Sequence, residues 1–447
     1  MRFHIHTYGC QMNMRDTESV AALLMRCGHV PAESEEDAEI VIVNTCSVRG
    51  KAEEKALGKL GLLVATKREW PGRLLGAIGC MVQRLGPSIL EQVPGLDFAI
   101  GTHRLTRLPE VLELVARNGG PLLDTAESCD DAESVATHIP GRITAFVTIL
   151  RGCNRRCSYC IVPAVRGPEW SRPAQDILNE IETLAAQGVR EITLLGQSVM
   201  SYGRSNPVWA EGAASACGFT EPFPRLLEAV SAIPGIMRIR FTSGHPSGCS
   251  PELARAMAEL PPVCEHLHLP LQSGSDRILR LMRRGYTRDA YRRAVERLRK
   301  AVPDLALATD VIVGFPSETA EDFELTRQFC DLIGFDNAFV FKYSPRPGTE
   351  AAEWPDDVPP AEKLSRNKIM LADQDRRSLA INQKLVGQTL EVLADGPSLR
   401  NKTRWSGRTR GNKIVIFEVG PNIKAGDLVK VKIERARPQT LYGSIIP

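Results

Sequence analysis

Three cysteines stand in one short run, Cys153-Asn-Arg-Arg-Cys157-Ser-Tyr-Cys160. Thiolates ligate iron–sulfur clusters, and a tight loop carrying three of them can wrap a four-iron cube. Three ligands leave one iron open, and an open metal position can take a substrate or cofactor. Gly152 lets the loop turn sharply. Cys157 and Cys160 alone would read as a redox pair or as half of a zinc site. Zinc needs a further ligand, and the surrounding residues offer no histidine. The third cysteine at this spacing favours the cluster.

A second set is dispersed. Cys10, Cys46 and Cys80 are 36 and 34 residues apart, close to one βαβ repeat of about 30 residues or a little more. Each directly follows a predicted strand, at Tyr8-Gly9-Cys10, Asn44-Thr45-Cys46 and Ile78-Gly79-Cys80. Parallel strands would deliver all three to one carboxyl edge, where open α/β sheets place ligand sites. Three buried small hydrophobes would use the same residues; the shared register favours a second three-cysteine metal site. Cys27, Cys129, Cys217, Cys249, Cys264 and Cys330 lack such placement and are assigned to no metal. Cys27 and Cys330 fall on apolar helix faces and read as core.

The elements that must position these residues form three blocks. In the first, strands at Phe3–Tyr8, Ile40–Thr45 and Leu74–Ile78 alternate with helices at about 16–27 and 52–68, implying a doubly wound parallel sheet. In the second, strands at Ala145–Leu150, Glu191–Leu195, Arg238–Thr242, His266–Leu269, Leu307–Val313 and Asn337–Phe341 make six βα units, a partial or open barrel rather than the closed eight. A helix near 361–383 follows. The last block has strands near Thr389–Leu393, Lys413–Glu418, Leu428–Ile433 and Leu441–Ile445 with glycine-rich turns, as in a small antiparallel β-barrel. The fold class is α/β, divided as 1–117, an acidic linker 118–141, a core 142–378 and a C-terminal domain 379–447. The linker carries Asp124, Glu127, Asp130, Asp131 and Glu133 without a single Lys or Arg.

With 447 residues, 43% of them apolar and 24% charged, the chain can bury ample core, which excludes disorder as its main state. Twelve cysteines in a chain without a secretory apolar run or a span of about 18 apolar residues point to metal or catalytic roles in a reducing cytosol. The net charge of +3 decides nothing, but residues 380–447 hold 12 Lys and Arg against 5 acidic residues. That surplus suits a phosphate backbone. Residues 277–300 are also basic, with an apolar stripe at Ala290, Tyr291, Ala294, Val295 and Leu298; they face RNA or form a solvated helix.

The C-x3-C-x2-C run resembles the signature of the radical S-adenosylmethionine (SAM) superfamily, in which Tyr159 holds a customary aromatic position. Together with Thr7-Tyr8-Gly9-Cys10-Gln11-Met12-Asn13, Asn44 to Arg49, Gly79-Cys80, Leu195-Gly196-Gln197, Leu269 to Ser275, Thr309 to Pro316 and Tyr343 to Thr349, it resembles the methylthiotransferases, most closely the MiaB type. Gln11-Met12 is similar to the tRNA-modifying branch rather than to the branch acting on a ribosomal protein. Gly407-Arg408-Thr409 and Asn412 to Glu418 resemble the family's TRAM domain.

The resemblance implies that N6-dimethylallyladenosine at position 37 of tRNA becomes its 2-methylthio derivative. It assigns Cys153, Cys157 and Cys160 to a SAM-binding 4Fe–4S cluster, and Cys10, Cys46 and Cys80 to an auxiliary 4Fe–4S cluster that delivers sulfur. SAM then serves as methyl donor and radical source, which an unactivated adenine C2–H requires. A flavodoxin- or ferredoxin-type reductant, an unidentified sulfur donor, a monomer and a cytoplasmic location follow as expectations.

Contacts to SAM are expected from Tyr159, Gly196, Gln197, Gln272, Ser273, Gly274 and Asp310, most of them at carboxyl ends of barrel strands. Contacts to RNA are expected from Arg400, Lys402, Arg404, Trp405, Arg408, Arg410 and Lys413, where cations meet phosphate and aromatics can stack. His266 and His268 share one strand face and read either as metal ligands or as core. Departures from the family's usual residues occur at Ser198, Met200 and Gly244, and Ser205–Glu221 is longer than usual. The alternatives are the same chemistry on another adenosine or on a ribosomal protein side chain, and a non-catalytic iron–sulfur or zinc RNA-binding protein.

Overall fold

The computed structural model describes residues 1–447 other than 49, 71, 128–140, 211–214, 399–400, 419, 421–422 and 447. The run Ile-Val-Ile-Val-Asn-Thr is strand β3 (Ile40–Thr45), buried at every position. Side chains alternate across a strand, so Val41 and Val43 meet Ala56 and Leu60 of helix α2 (Gly50–Thr66) on one face. Ile40 and Ile42 meet Val20 and Leu24 of helix α1 (Gln11–Arg26) on the other. Strands β1 (Arg2–Thr7), β2 (Val30–Pro31), β4 (Leu74–Gly79), β5 (Phe98–Ile100) and β6 (Leu122–Asp124) complete a parallel sheet in the order β2-β1-β3-β4-β5-β6.

The chain reverses its direction of growth between β1 and β3, which makes their carboxyl ends a topological switch point. β2, β5 and β6 were not expected, because two or three residues carry no readable period. β6 lies inside the segment expected as linker and hydrogen-bonds to β5, so the N-terminal domain runs past residue 117. Most of the remaining acidic stretch is outside the described residues.

The core begins with β7 (Thr144–Thr148), then a two-residue pair, β8 (Leu150–Arg151) and β9 (Trp170–Ser171), that closes the cysteine loop at its base. β10 (Glu191–Leu195), β11 (Arg238–Phe241), β12 (His266–His268), β13 (Ala306–Val313) and β14 (Asn337–Lys342) follow. Two parallel three-stranded sheets, β11-β10-β7 and β12-β13-β14, are joined by a parallel bridge between Ile239 and Val263. The result is an open arc of six strands, as the βα units implied. The basic stretch 277–300 is two helices, Asp276–Leu281 and Arg288–Ala301. Tyr291, Ala294, Val295 and Leu298 are buried, whereas Ala290 is half-buried.

A helix over Pro360–Gln383 leads into a closed barrel of β15 (Thr389–Pro397), β16 (Arg404–Thr409), β17 (Ile414–Glu418), β18 (Leu428–Ala436) and β19 (Leu441–Ile445). That helix crosses the boundary expected at 378/379. Four of the five strands were expected. β16, Arg-Trp-Ser-Gly-Arg-Thr, has little apolar alternation to reveal it. Gly407 fills a buried position there because a Cβ would collide with the Leu393 carbonyl.

Charged side chains fasten the domains. Arg15 pairs with Glu180 at 2.6 Å, and Arg172 meets the other oxygen of that carboxylate at 2.7 Å. At the opposite end, the Arg238 guanidinium donates to the Arg408 carbonyl at 2.5 Å, and Arg240 donates to the Thr409 and Arg410 carbonyls at 2.7 and 2.6 Å. These contacts seat the barrel on the amino ends of the core strands.

Candidate functional site

Cys10, Cys46 and Cys80 follow β1, β3 and β4, three adjacent strands, so their turns lie side by side at the carboxyl edge. Helix α1 starts at Gln11, earlier than its apolar period suggested, because Asn13 Oδ1 accepts from the Cys10 backbone N–H at 3.2 Å. The Asn13 amide donates to Asn44 Oδ1 and to the Thr45 carbonyl at 3.1 and 3.0 Å, and Asn44 returns a bond to the Asn13 carbonyl at 2.8 Å. Gly79 holds φ +101°, which a side chain resists, and a Cβ there would press on Asn44 and Thr45. The three turns therefore lock one another.

Of the three thiols, Cys10 sits in surroundings that favour a thiolate. A hydrogen bond with Cys46, opposed by burial and reinforced by Arg166, lowers the Cys10 pKa to about 6. Cys46 is fully buried and accepts from the Val48 N–H at 3.3 Å. Burial raises Cys80, but the Arg166 guanidinium opposes it, with Nε 3.2 Å from Sγ.

The second triad hangs on the β8–β9 loop, where Gly152 turns at φ +73° as expected. Burial pushes Cys160 up to about 12 and raises Cys153. Cys157 Sγ accepts from Arg284 Nη1 at 3.4 Å. Tyr159 packs edge-on against Phe315, with ring centres 6.2 Å apart. Both triads open on one cavity of about 1730 Å³, lined by Cys10 and Cys80 from the first and by all three cysteines of the second. Cys46 lies behind that wall.

Among the described residues, no three His, Cys, Asp or Glu side chains are grouped to hold a single metal ion. A four-iron cube places its ligands on separate irons, farther apart than ligands of one ion. Three thiols per site, with N–H donors reaching a sulfur in each, are the donor chemistry that such cubes take.

Gly196, Gln197, Gln272, Asp310 and Tyr159 line the cavity. Gln272 holds φ +71°, and the buried Oε1 atoms of Gln197 and Gln272 have no hydrogen-bond partner. Two orphaned acceptors on the wall of a cavity suit a ligand that brings donors. Ser273 and Gly274 do not line the cavity. Ser273 Oγ lies 3.2 Å from Thr326 Oγ1, and the Gly274 N–H donates to the same hydroxyl at 3.0 Å, so both brace the loop from behind. His268 Nε2 is 3.2 Å from Asp310 Oδ1, and His266 and His268 both line the cavity.

The C-terminal cations divide. Arg410 forms an ion pair with Glu265 at 2.7 Å and Lys413 one with Asp336 at 2.6 Å, across the domain boundary. Arg408 lines the cavity. Trp405 is half-buried against the barrel core, Lys402 is exposed, and Arg404 reaches Glu418 at 3.5 Å on the surface. Arg400 lies outside the described residues. Cys27, expected in the core, is exposed because it ends α1; Cys330 is buried.

Sequence reasoning missed Arg166 and Arg284, whose sulfur partners lie 86 and 127 residues away. It also missed the coupling of two departures. Met200 Cε would lie 2.9 Å from a Cβ at Gly244, so the large side chain takes the room the glycine leaves.

Three family models match the chain: the radical SAM superfamily over 147–330, "Uncharacterized protein family UPF0004" over 2–101, and the TRAM domain over 383–446. A tRNA-2-methylthio-N(6)-dimethylallyladenosine synthase of Opitutus terrae is 45% identical, covering 100% of this chain and 97% of that protein. Its namesake in Akkermansia muciniphila is 43% identical over 100% and 99%. The namesake in Moorella thermoacetica is 45% identical over 99% and 98%. Among solved structures, the radical SAM methyltransferase TsrM of Kitasatospora setae, with cobalamin and a [4Fe-4S] cluster bound, shares the fold. Its TM-score is 0.58 at 13% identity, covering 78% of this chain and 74% of that one. On this full-length similarity, the chain belongs to the tRNA methylthiotransferases of the radical SAM superfamily, in the MiaB-type branch.

Proposed function

We infer that this protein is a tRNA-2-methylthio-N6-dimethylallyladenosine synthase, replacing the hydrogen on C2 of N6-dimethylallyladenosine 37 with a methylthio group. It uses SAM and two 4Fe–4S clusters. The observation that carries the reading is the opening of both cysteine triads on one cavity. Cys153, Cys157 and Cys160 would hold the SAM-binding cluster, and Cys10, Cys46 and Cys80 the auxiliary one. When bound, these groups supply what no side chain can: a radical able to take an unactivated C–H hydrogen, and a sulfur to replace it.

The chain's own residues position the partners. The Arg284 N–H holds Cys157, and the unpaired amide oxygens of Gln197 and Gln272 offer acceptors to a ligand's ammonium or amine. Asp310, beside His268, adds a carboxylate to the same wall. Phe339, 47% exposed on β14, and Phe341 give the cavity apolar surface for a base and its isoprenoid tail. Lys402, Arg404 and Arg408 are the barrel cations we assign to RNA; Arg410 and Lys413 we assign to domain docking. A flavodoxin- or ferredoxin-type reductant, a monomeric state and a cytoplasmic location complete the reading. Among the described residues no helix is long and apolar enough to cross a membrane.

The test is anaerobic. Reconstituted protein should carry about eight iron per chain, two cubes of four, and about half that after Cys10→Ala, Cys46→Ala and Cys80→Ala together. Mass spectrometry should show the 2-methylthio nucleoside formed on dimethylallyl-bearing tRNA by the unsubstituted protein alone. Four iron in the unsubstituted protein would remove the auxiliary cluster, and methylthiolation of a ribosomal protein instead would remove the substrate assignment.

A further inference from the structure

Arg166 belongs to one domain and serves the sulfur ligands of another. It ends the short helix Val162–Arg166, inside the β8–β9 loop that carries Cys153, Cys157 and Cys160. Its side chain leaves that loop. Nη2 and Nη1 grip the two oxygens of Asp16 on α1 at 2.6 and 3.3 Å, while Nε donates to Cys80 Sγ at 3.2 Å. Both partners of the ion pair are nearly buried, at 9% and 12% exposure. Ile161 and Val165 pack on Cys80, and the Thr102 hydroxyl donates to the Val165 carbonyl at 2.5 Å, so the helix is pinned to the N-terminal domain beside the sulfur.

A structural ion pair needs only the fork of the guanidinium. Here the rigid plane is held at the fork by the carboxylate, which aims the remaining N–H at a thiol. Arg284 makes the corresponding contact on Cys157 from within its own domain. Arg166 instead spans the two triads, and Asp16 balances its charge.

We propose that Arg166 is a positioning residue for the Cys10–Cys46–Cys80 centre, setting its charge environment and its placement relative to the Cys153–Cys160 loop, with Asp16 aiming the guanidinium. The proposal rests on the two-cluster reading above. A cation against a sulfur ligand favours the more negative, reduced form of a bound cluster, so its removal lowers that cluster's potential. Outer partners of metal ligands also govern retention, typically by about 10- to 100-fold in affinity.

The experiment uses full-length protein reconstituted anaerobically with iron and sulfide, and follows each centre by EPR-monitored redox titration and by iron release to a chelator. Arg166→Gln should lower the potential of the auxiliary centre or release its iron about ten-fold faster, leaving the Cys153–Cys160 centre unchanged. Arg166→Lys, a point charge without the fork, should fall between, and Asp16→Asn, which leaves the guanidinium charge unbalanced, should shift the potential of the same centre upward while loosening the aim of the N–H and speeding iron release. Thermal unfolding checks each variant; if the glutamine variant does not fold, the lysine variant decides by a shift confined to the auxiliary centre. Unchanged potentials and release rates, or equal changes at both centres, would overturn the proposal. Four iron per chain in the unsubstituted protein would instead overturn the two-cluster reading on which it rests.

Discussion

Buried Oε1 atoms without partners cost free energy in the ligand-free protein, and at Gln197 and Gln272 that cost faces the cavity. Gln197→Met is therefore expected to raise thermal stability by about 1 kcal/mol while weakening SAM binding about ten-fold, opposite signs read by melting curves and isothermal titration. A purely structural glutamine would move both together. Met200 and Gly244 make a second test. Gly244→Ser in the presence of Met200 should cost about 1–3 kcal/mol by overpacking. Adding Met200→Asn should recover part of it, a coupling visible in a double-mutant cycle of unfolding free energies. Each residue of that pair was legible as a departure, but their contact was not, because 44 positions of chain, with one helix and one strand, separate them.

At the scale of elements, the loop behind the cavity wall at Gln272 is braced from the helix Ala320–Ile333. Asp322 on that helix accepts from Ser275 Oγ at 2.6 Å, from the Thr319 N–H at 3.0 Å and from Arg277. Burial opposes its charge, but these donors prevail and hold the carboxyl well below its ordinary 3.8. A depressed carboxylate contributes stability above its unfolded pKa and loses it as pH falls toward the folded one. Asp322→Asn should thus destabilise by about 2 kcal/mol at pH 7, with the gap narrowing below pH about 4, as urea titrations at the two pH values would show. An unchanged gap in acid would mean that the charge is not what Asp322 contributes. The strands β3, β10 and β19 were readable residue for residue, since hydrophobic runs and turn residues bound them locally. β16 was not, because its Gly407 is selected by barrel closure rather than by strand preference.

Across the whole molecule, the same basic composition serves two purposes. Lys413 and Arg410 spend their charge on Asp336 and Glu265, so Lys413→Ala should lower thermal stability by about 1–2 kcal/mol and leave the salt dependence of tRNA binding unchanged. Lys402 is exposed, and Lys402→Ala should weaken tRNA binding with the slope of log affinity against log salt reduced by about one. Filter-binding at several salt concentrations separates the two; equal slopes for both variants would return Lys413 to the RNA surface.

Residue type and spacing alone singled out six cysteines as candidate ligands, placed three of them at the ends of parallel strands, and counted six βα units in the core. These are short-range properties, written in turn residues and in periods of two and 3.6. Tertiary structure alone decided that the two triads open on one cavity, that Cys46 is hidden from it, that Arg166 and Arg284 each aim an N–H at a sulfur, and which C-terminal cations remain exposed. Apart from the Arg284 contact, which forms within the core, those outcomes depend on how domains dock. Docking joins groups as far apart as Arg410 and Glu265, 145 residues along the chain, and no local pattern constrains such a pair.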